Sequence, residues 1–135
     1  MPKAPKPEIL INTSSWINIF EIGLHSYLVE SFKVHTTPKV VEEIKHEISI
    51  NSGEMELASA AFNDGDFIVL IDDARVYRVL ERVGIKYISS AHIVIDACLT
   101  GSIEKEQALL MLDKLRISIS DNVIEKAKDV ILKWK

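Results

Sequence analysis

Short apolar runs alternate along this chain with longer stretches of helical spacing. The run Glu8 to Ile11 is brief and mostly apolar, and it halts at Asn12-Thr13-Ser14-Ser15. That pattern predicts a buried strand entering a helix cap, where side-chain oxygens accept the first free N–H groups. Trp16, Ile17, Phe20 and Leu24 come next at helical spacing, forming the expected inward stripe. Gly23 predicts a break, with a second helix over roughly Leu24 to Phe32. Lys33 to Thr37 has the length of a short strand. Thr37-Pro38 then combines a capping hydroxyl with proline at the first helical position, a strong helix start. Val40, Val41, Ile44 and Ile48 line one side of that helix. After the loop Asn51-Ser52-Gly53, Glu54 to Phe62 reads as another helix, ended by Asn63-Asp64-Gly65.

Phe67-Ile68-Val69-Leu70-Ile71 is five apolar residues in a row, which predicts a strand buried on both faces. It stops abruptly at Asp72-Asp73. Val76, Val79, Leu80 and Val83 lie at i, i+3, i+4 and i+7, and Gly84 stops the helix they define. Ile85 to Ile88 predicts a further strand. Three more helices are expected, near Ala91–Leu99, Glu104–Leu115 and Asp121–Trp134. Val123, Ala127, Val130, Ile131 and Trp134 are expected on the inner face of the last. Strands alternating with helices predict an α/β fold with a central parallel sheet covered on both sides. Ligands of such sheets bind beyond the carboxyl ends of the strands. Asn12 and Asp72-Asp73 fall at that edge.

Composition narrows the picture. A chain of 135 residues suits one domain, here residues 8–135, after a loose lead-in over 1–7 that carries three prolines. With 47% hydrophobic residues it can fill a sizeable core. The formal net charge of −4 argues against a whole-molecule electrostatic grip on nucleic acid, though a local basic patch is compatible with it. Cys98 is the single cysteine, so no internal disulfide forms. With no signal peptide in this sequence, a cytoplasmic setting is expected. No apolar run approaches the ~20 residues that span a bilayer, so no membrane partner is expected. P-loop, dinucleotide-glycine, nucleophile-elbow and zinc patterns are all missing.

The polar residues left over suit metal-assisted phosphodiester hydrolysis. That chemistry needs carboxylates converging on one or two magnesium ions, which polarise the phosphoryl oxygen and acidify the attacking water. Asp73, directly after a buried strand, is the leading candidate. A helix cap is the plainer role for Asp72 or Asp73, since a carboxylate is stabilised at a helix N-terminus. Glu43 and Glu47 lie one turn apart beside an apolar stripe, where a solvated glutamate is the commoner finding. Glu54 and Glu56 open the next helix, a position acids favour anyway. Arg75, Arg78 and Arg82 stand at i, i+3 and i+7 and can face a phosphate backbone. A solvated face interleaved with Glu81 explains them equally well. The histidines show no metal-ligand spacing, and Cys98 suits a small core residue better than a nucleophile.

Ile9-Leu10-Ile11-Asn12-Thr13-Ser14-Ser15-Trp16-Ile17 resembles the opening strand and turn of PIN domains. Thr37-Pro38-Lys39-Val40-Val41-Glu42-Glu43-Ile44 is similar to that family's proline-led acidic helix. Ser52-Gly53-Glu54-Met55-Glu56 looks like its Gly-Glu helix start, and Leu70-Ile71-Asp72-Asp73-Ala74-Arg75 like its acid-ended strand before a basic helix. The likeness runs from about Glu8 to the last helix, and is greatest to a PIN-like group of small prokaryotic proteins related to VapC toxins.

The resemblance implies a PIN-like three-layer sandwich with a central parallel sheet and extra C-terminal helices. It further implies a magnesium- or manganese-dependent ribonuclease of toxin or RNA-processing type, a homodimer, RNA as substrate and an antitoxin protein as partner. By position, Glu43, Glu54 and Asp73 would ligate the metal, and Asn12 stands where the family's first aspartate belongs. An asparagine offers a carbonyl oxygen but no charge. A second reading arises from it: a PIN-like binding or assembly module without catalysis. A phosphoacceptor receiver domain ranks far behind, because its acidic pair would end the first strand.

Overall fold

The computed structural model describes residues 6–11, 13–36, 68–82 and 84–134. The helices expected from Thr37 and from Glu54 lie outside the described residues. Strand β1 spans Glu8–Ile11, succeeded by helices α1 (Thr13–Glu21) and α2 (His25–Ser31) and strand β2 (Lys33–Thr36). Strand β3 covers Ile68–Leu70, helix α3 Ala74–Arg82 and strand β4 Tyr87–Ile88. Helices α4 (Ser90–Leu99), α5 (Lys105–Lys114) and α6 (Asp121–Lys133) complete the chain, with a 3-10 turn at Leu115–Ile117 after α5.

All pairings in the sheet are parallel, in the order β2-β1-β3-β4. The two central strands are therefore β1 and β3, the two most apolar runs. Side chains alternate across a strand, so successive residues serve opposite faces. Ile9, Ile11 and Leu70 join one large core with Ile19 of α1, Leu28 of α2, Ile93 of α4, Leu112 of α5 and Ile124 of α6. Leu10, Val69 and Ile71 are equally buried yet stand outside that cluster, as does Leu80 of α3. The sheet is thus covered on both faces, as expected for an α/β sandwich.

Two glycines end helices as the sequence predicts. Gly23 has φ 83° and Gly84 φ 78°, a left-handed geometry in which a side chain would be strained. In each turn the glycine N–H reaches back three residues and the next residue's N–H reaches back five. Gly23 N–H bonds the Phe20 carbonyl at 3.0 Å, and Leu24 N–H that of Ile19 at 3.1 Å. Ile85 N–H bonds the Leu80 carbonyl at 2.9 Å, and both of those side chains are buried. Carbonyls left free at the helix end are thereby satisfied.

The inner faces of α1 and α6 differ from the expected stripes. Of the expected stripe, Trp16 packs against the core and Leu24 is buried, but Ile17 and Phe20 are 49% and 59% exposed, and Ser15, Ile19 and Ile22 are buried instead. In α6 Ala127 and Ile131 are buried and Val123 packs against the core as expected, but Ile124 is buried too and Val130 faces solvent. Both helices carry more apolar residues than one face can hold, so spacing alone admits two rotations. Replacing Ile19 by alanine should cost about 2–5 kcal/mol, the range for emptying a buried isoleucine site. Ile17→Ala should stay within about 0.5 kcal/mol. Urea unfolding of both variants checks this, and equal losses would contradict the rotation described.

Candidate functional site at the carboxyl edge of the sheet

Strand β3 runs through the middle of the sheet and releases the chain at Ile71, directly before Asp72 and Asp73. Both acids are half-buried. Asp72 is gripped from two sides. Its Oδ1 accepts the backbone N–H of Ser90 at 2.7 Å. Its Oδ2 accepts the Ser90 hydroxyl and the Asn18 side-chain amide, each at 2.7 Å. In return, the Asp72 N–H donates to the Ser15 hydroxyl at 3.1 Å. Ser15 and Ser90 are both fully buried.

These bonds explain one another. Ser90 is the first residue of α4, and its N–H is among those a helix leaves unpaired. The residue before it, Ser89, makes no side-chain cap bond, and the Asp72 carboxylate takes that role from another strand. A charged acceptor at a helix N-terminus is favoured by the peptide dipoles, and its bonds are short and strong. The capping role expected for one of the two acids therefore falls to Asp72, but on α4 rather than on α3, the next helix along the chain. Asn18 extends the network, because its Oδ1 accepts the Ser118 hydroxyl at 3.1 Å.

Tyr77, one turn beyond Asp73 on α3, donates its hydroxyl to the Ile71 carbonyl at 2.6 Å. Burial first, then the charges of Asp72, Tyr87 and Asp73, hold its phenol protonated well above the ordinary value of 10.0. Of the arginines on this helix, Arg78 and Arg82 are exposed and share a face four residues apart. The side chain of Arg75 lies outside the described residues.

Of the acids expected around a metal, Asp73 is at the carboxyl edge, while Asn12, Glu43 and Glu54 lie outside the described residues. Among the described residues no three of His, Cys, Asp and Glu converge as a metal site. Asp72 and Asp73 do offer the hard oxygens that magnesium or manganese prefers. The two Asp72 oxygens already take three donors. His25 keeps a buried Nδ1 with no hydrogen-bond partner, and Cys98 is half-buried. Neither belongs to this edge.

Ser15, Asn18, Ser90 and Tyr77 were not singled out from the sequence as site residues. The serines sit in Thr13-Ser14-Ser15 and Ser89-Ser90, the kind of pre-helical cluster that signals a cap. Nothing local to Asn18 or Tyr77 identifies their partners, which lie on other elements.

A parallel sheet covered on both faces, with acids at the carboxyl end of a central strand, defines an α/β sandwich whose ligand edge carries carboxylates. A sequence model of the PIN domain matches residues 28–131, most of the chain, and the protein belongs to the PIN-domain family. No curated protein and no solved structure gives a significant match. Among the described residues, no helix is long and apolar enough to cross a membrane.

Two outcomes test this edge. Asp72→Ala strands the Ser90 N–H and hydroxyl and the Asn18 amide, and should cost about 2–3 kcal/mol in urea unfolding. A loss below about 0.5 kcal/mol would show that the network does not support the fold. The Tyr77 phenol binds its proton more tightly folded than unfolded, so its contribution is complete below pH 10 and lost as pH rises further. Stability should fall across that alkaline window, and Tyr77→Phe should flatten the fall. An unchanged slope in Tyr77→Phe would contradict the assignment.

Proposed function

We propose that this PIN-domain protein is a metal-dependent ribonuclease whose chemistry is seated at the carboxyl edge of the sheet. The observation that carries this reading is Asp73, delivered to the carboxyl edge by a buried central strand. Glu43, Glu54 and Asp73 would hold magnesium or manganese, with Asn12 adding a neutral carbonyl oxygen. When bound, the cation would polarise the phosphoryl oxygen and lower the pKa of the attacking water. Arg78 and Arg82, with Arg75 on the same helix, suit contacts to the phosphate backbone. A relation to VapC toxins, a cytoplasmic setting, an antitoxin partner and a homodimer accompany this reading.

Asn12 favours a second reading, a PIN-fold binding or assembly module. One charge fewer at the site weakens attraction for a divalent ion and removes a group that could orient water. Labelled RNA with added manganese separates the two. The ribonuclease reading expects metal-dependent cleavage, reduced on the order of a hundredfold or more in Glu43→Gln and in Asp73→Asn. Manganese titration should show the same ranking of affinities. No cleavage, or equal cleavage in all three proteins, would overturn it. Under the second reading the natural chain binds manganese weakly, and Asn12→Asp strengthens that binding.

A further inference from the structure

Tyr77 of α3 and Tyr87 of β4 stack on each other, with ring centroids 4.5 Å apart and planes 16° from parallel. Each ring is tethered at its hydroxyl end. Tyr77 donates to the Ile71 carbonyl at 2.6 Å, and Tyr87 donates to the carboxylate of Glu81. Both rings are half-buried, and among the described residues β4 is the outermost strand, so Tyr87 stands at the margin of the described sheet. Among the described residues no second aromatic ring stacks on Tyr87. Tyr87 pairs with Val69, three residues before Asp72, which sets the Tyr87 backbone roughly 10 Å along the strand direction from Asp72, while the Tyr77 hydroxyl reaches the Ile71 carbonyl beside it.

The charge around the pair is unlike that of the whole chain. The protein carries a formal −4, yet exposed Arg78 and Arg82 lie on the helix that holds Tyr77. No ion pair engages either arginine among the described residues. The one acid on that helix, Glu81, is hydrogen-bonded to Tyr87.

We propose that Tyr87, backed by Tyr77, is a stacking platform for one base of a single-stranded RNA whose neighbouring phosphates meet Arg78 and Arg82. This rests on the ribonuclease reading for its ligand class. A flat ring already held in place binds a base with little loss of side-chain freedom. Every base has a π-face, so the platform tolerates sequence, whereas a duplex keeps its bases stacked internally and offers it none. Guanidinium groups beside it supply the backbone contacts that a ring cannot.

The test reads binding without cleavage, using the natural chain in EDTA and a fluorescein-labelled single-stranded oligoribonucleotide. Tyr87→Leu should weaken binding roughly fivefold to a hundredfold, as expected for one lost base stack. Tyr87→Phe, which keeps the ring, should stay within about twofold. An abasic site moved along the oligonucleotide should cost the natural chain a similar factor at one position, with no further loss in Tyr87→Leu. The thermal midpoint of each variant reports whether it is folded, and the Phe variant and the abasic series decide the matter if Tyr87→Leu is not. Binding that is absent, unchanged in Tyr87→Leu, or insensitive to every abasic position overturns the platform. Ring-dependent binding without manganese-dependent cleavage keeps the platform and removes the hydrolase reading. Cleavage with ring-independent binding does the reverse.

Discussion

The carboxylate of Asp72 is the point at which separate parts of this fold are joined. A negative charge half withdrawn from water needs donors, and here they come from α1 and α4, which are distant in sequence. The bond to Ser90 also satisfies a helix-terminal N–H that has no partner within its own helix. One group therefore meets two obligations, its own solvation and the start of α4. Through Asn18 the same network reaches Ser118, and with it the segment between α5 and α6. That segment is held in turn by Arg116, which bridges Asp113 at 3.0 Å and Asp121 at 2.8 Å and also pairs with Glu125. These outer pairs are exposed and contribute little each. The Asp72 bonds are the inner end of the chain.

Anchoring Asp72 also sets the path of the next residues. The chain leaves β3 in one direction, so Asp73 and the basic helix α3 start from a defined place. Asp72 thereby holds helix and strand together, and Asp73 stands beside it at the edge where ligands of such sheets bind. The same helix carries a tyrosine tied back to the Ile71 carbonyl and two exposed arginines. Acid, aromatic ring and base lie close together along the chain. This concentration matters in a protein whose overall charge would repel a polyanion.

Much of this architecture is legible from local pattern. The bounds of β1 coincide with the apolar run, and the five-residue run from Phe67 contains β3. Gly23 and Gly84 fall where helices end, because a left-handed residue is a local requirement that glycine meets cheaply. Rotation about the helix axis is different. From Trp16 to Leu24 there are six large apolar residues, and the stripe Trp16-Ile17-Phe20 fits helical spacing as well as Ile19-Ile22 does. In the fold Ser15 lies on the buried side and accepts the Asp72 N–H. A polar residue on the buried side is what hydrophobic spacing counts against. Similarly, α6 turns Ile124 inward and Val130 outward, since its neighbours are α4 and α5 rather than a sheet.

By itself, then, the sequence determined, over the described residues, which segments are strands and helices, where they stop, and that Asp72 and Asp73 emerge at the carboxyl edge of the sheet. Those properties depend on neighbours within a few residues, through spacing, caps and turns. Only the tertiary structure decided that Asp72 caps α4 rather than α3, that Asn18 and Ser90 share its oxygens, and that Tyr77 meets Tyr87. The Asp72 bonds join residues 18 and 54 positions apart, and the rings that meet belong to a helix and a strand. Partners of that kind are chosen by packing the whole chain, where each buried donor must find an acceptor, and no local pattern encodes the answer.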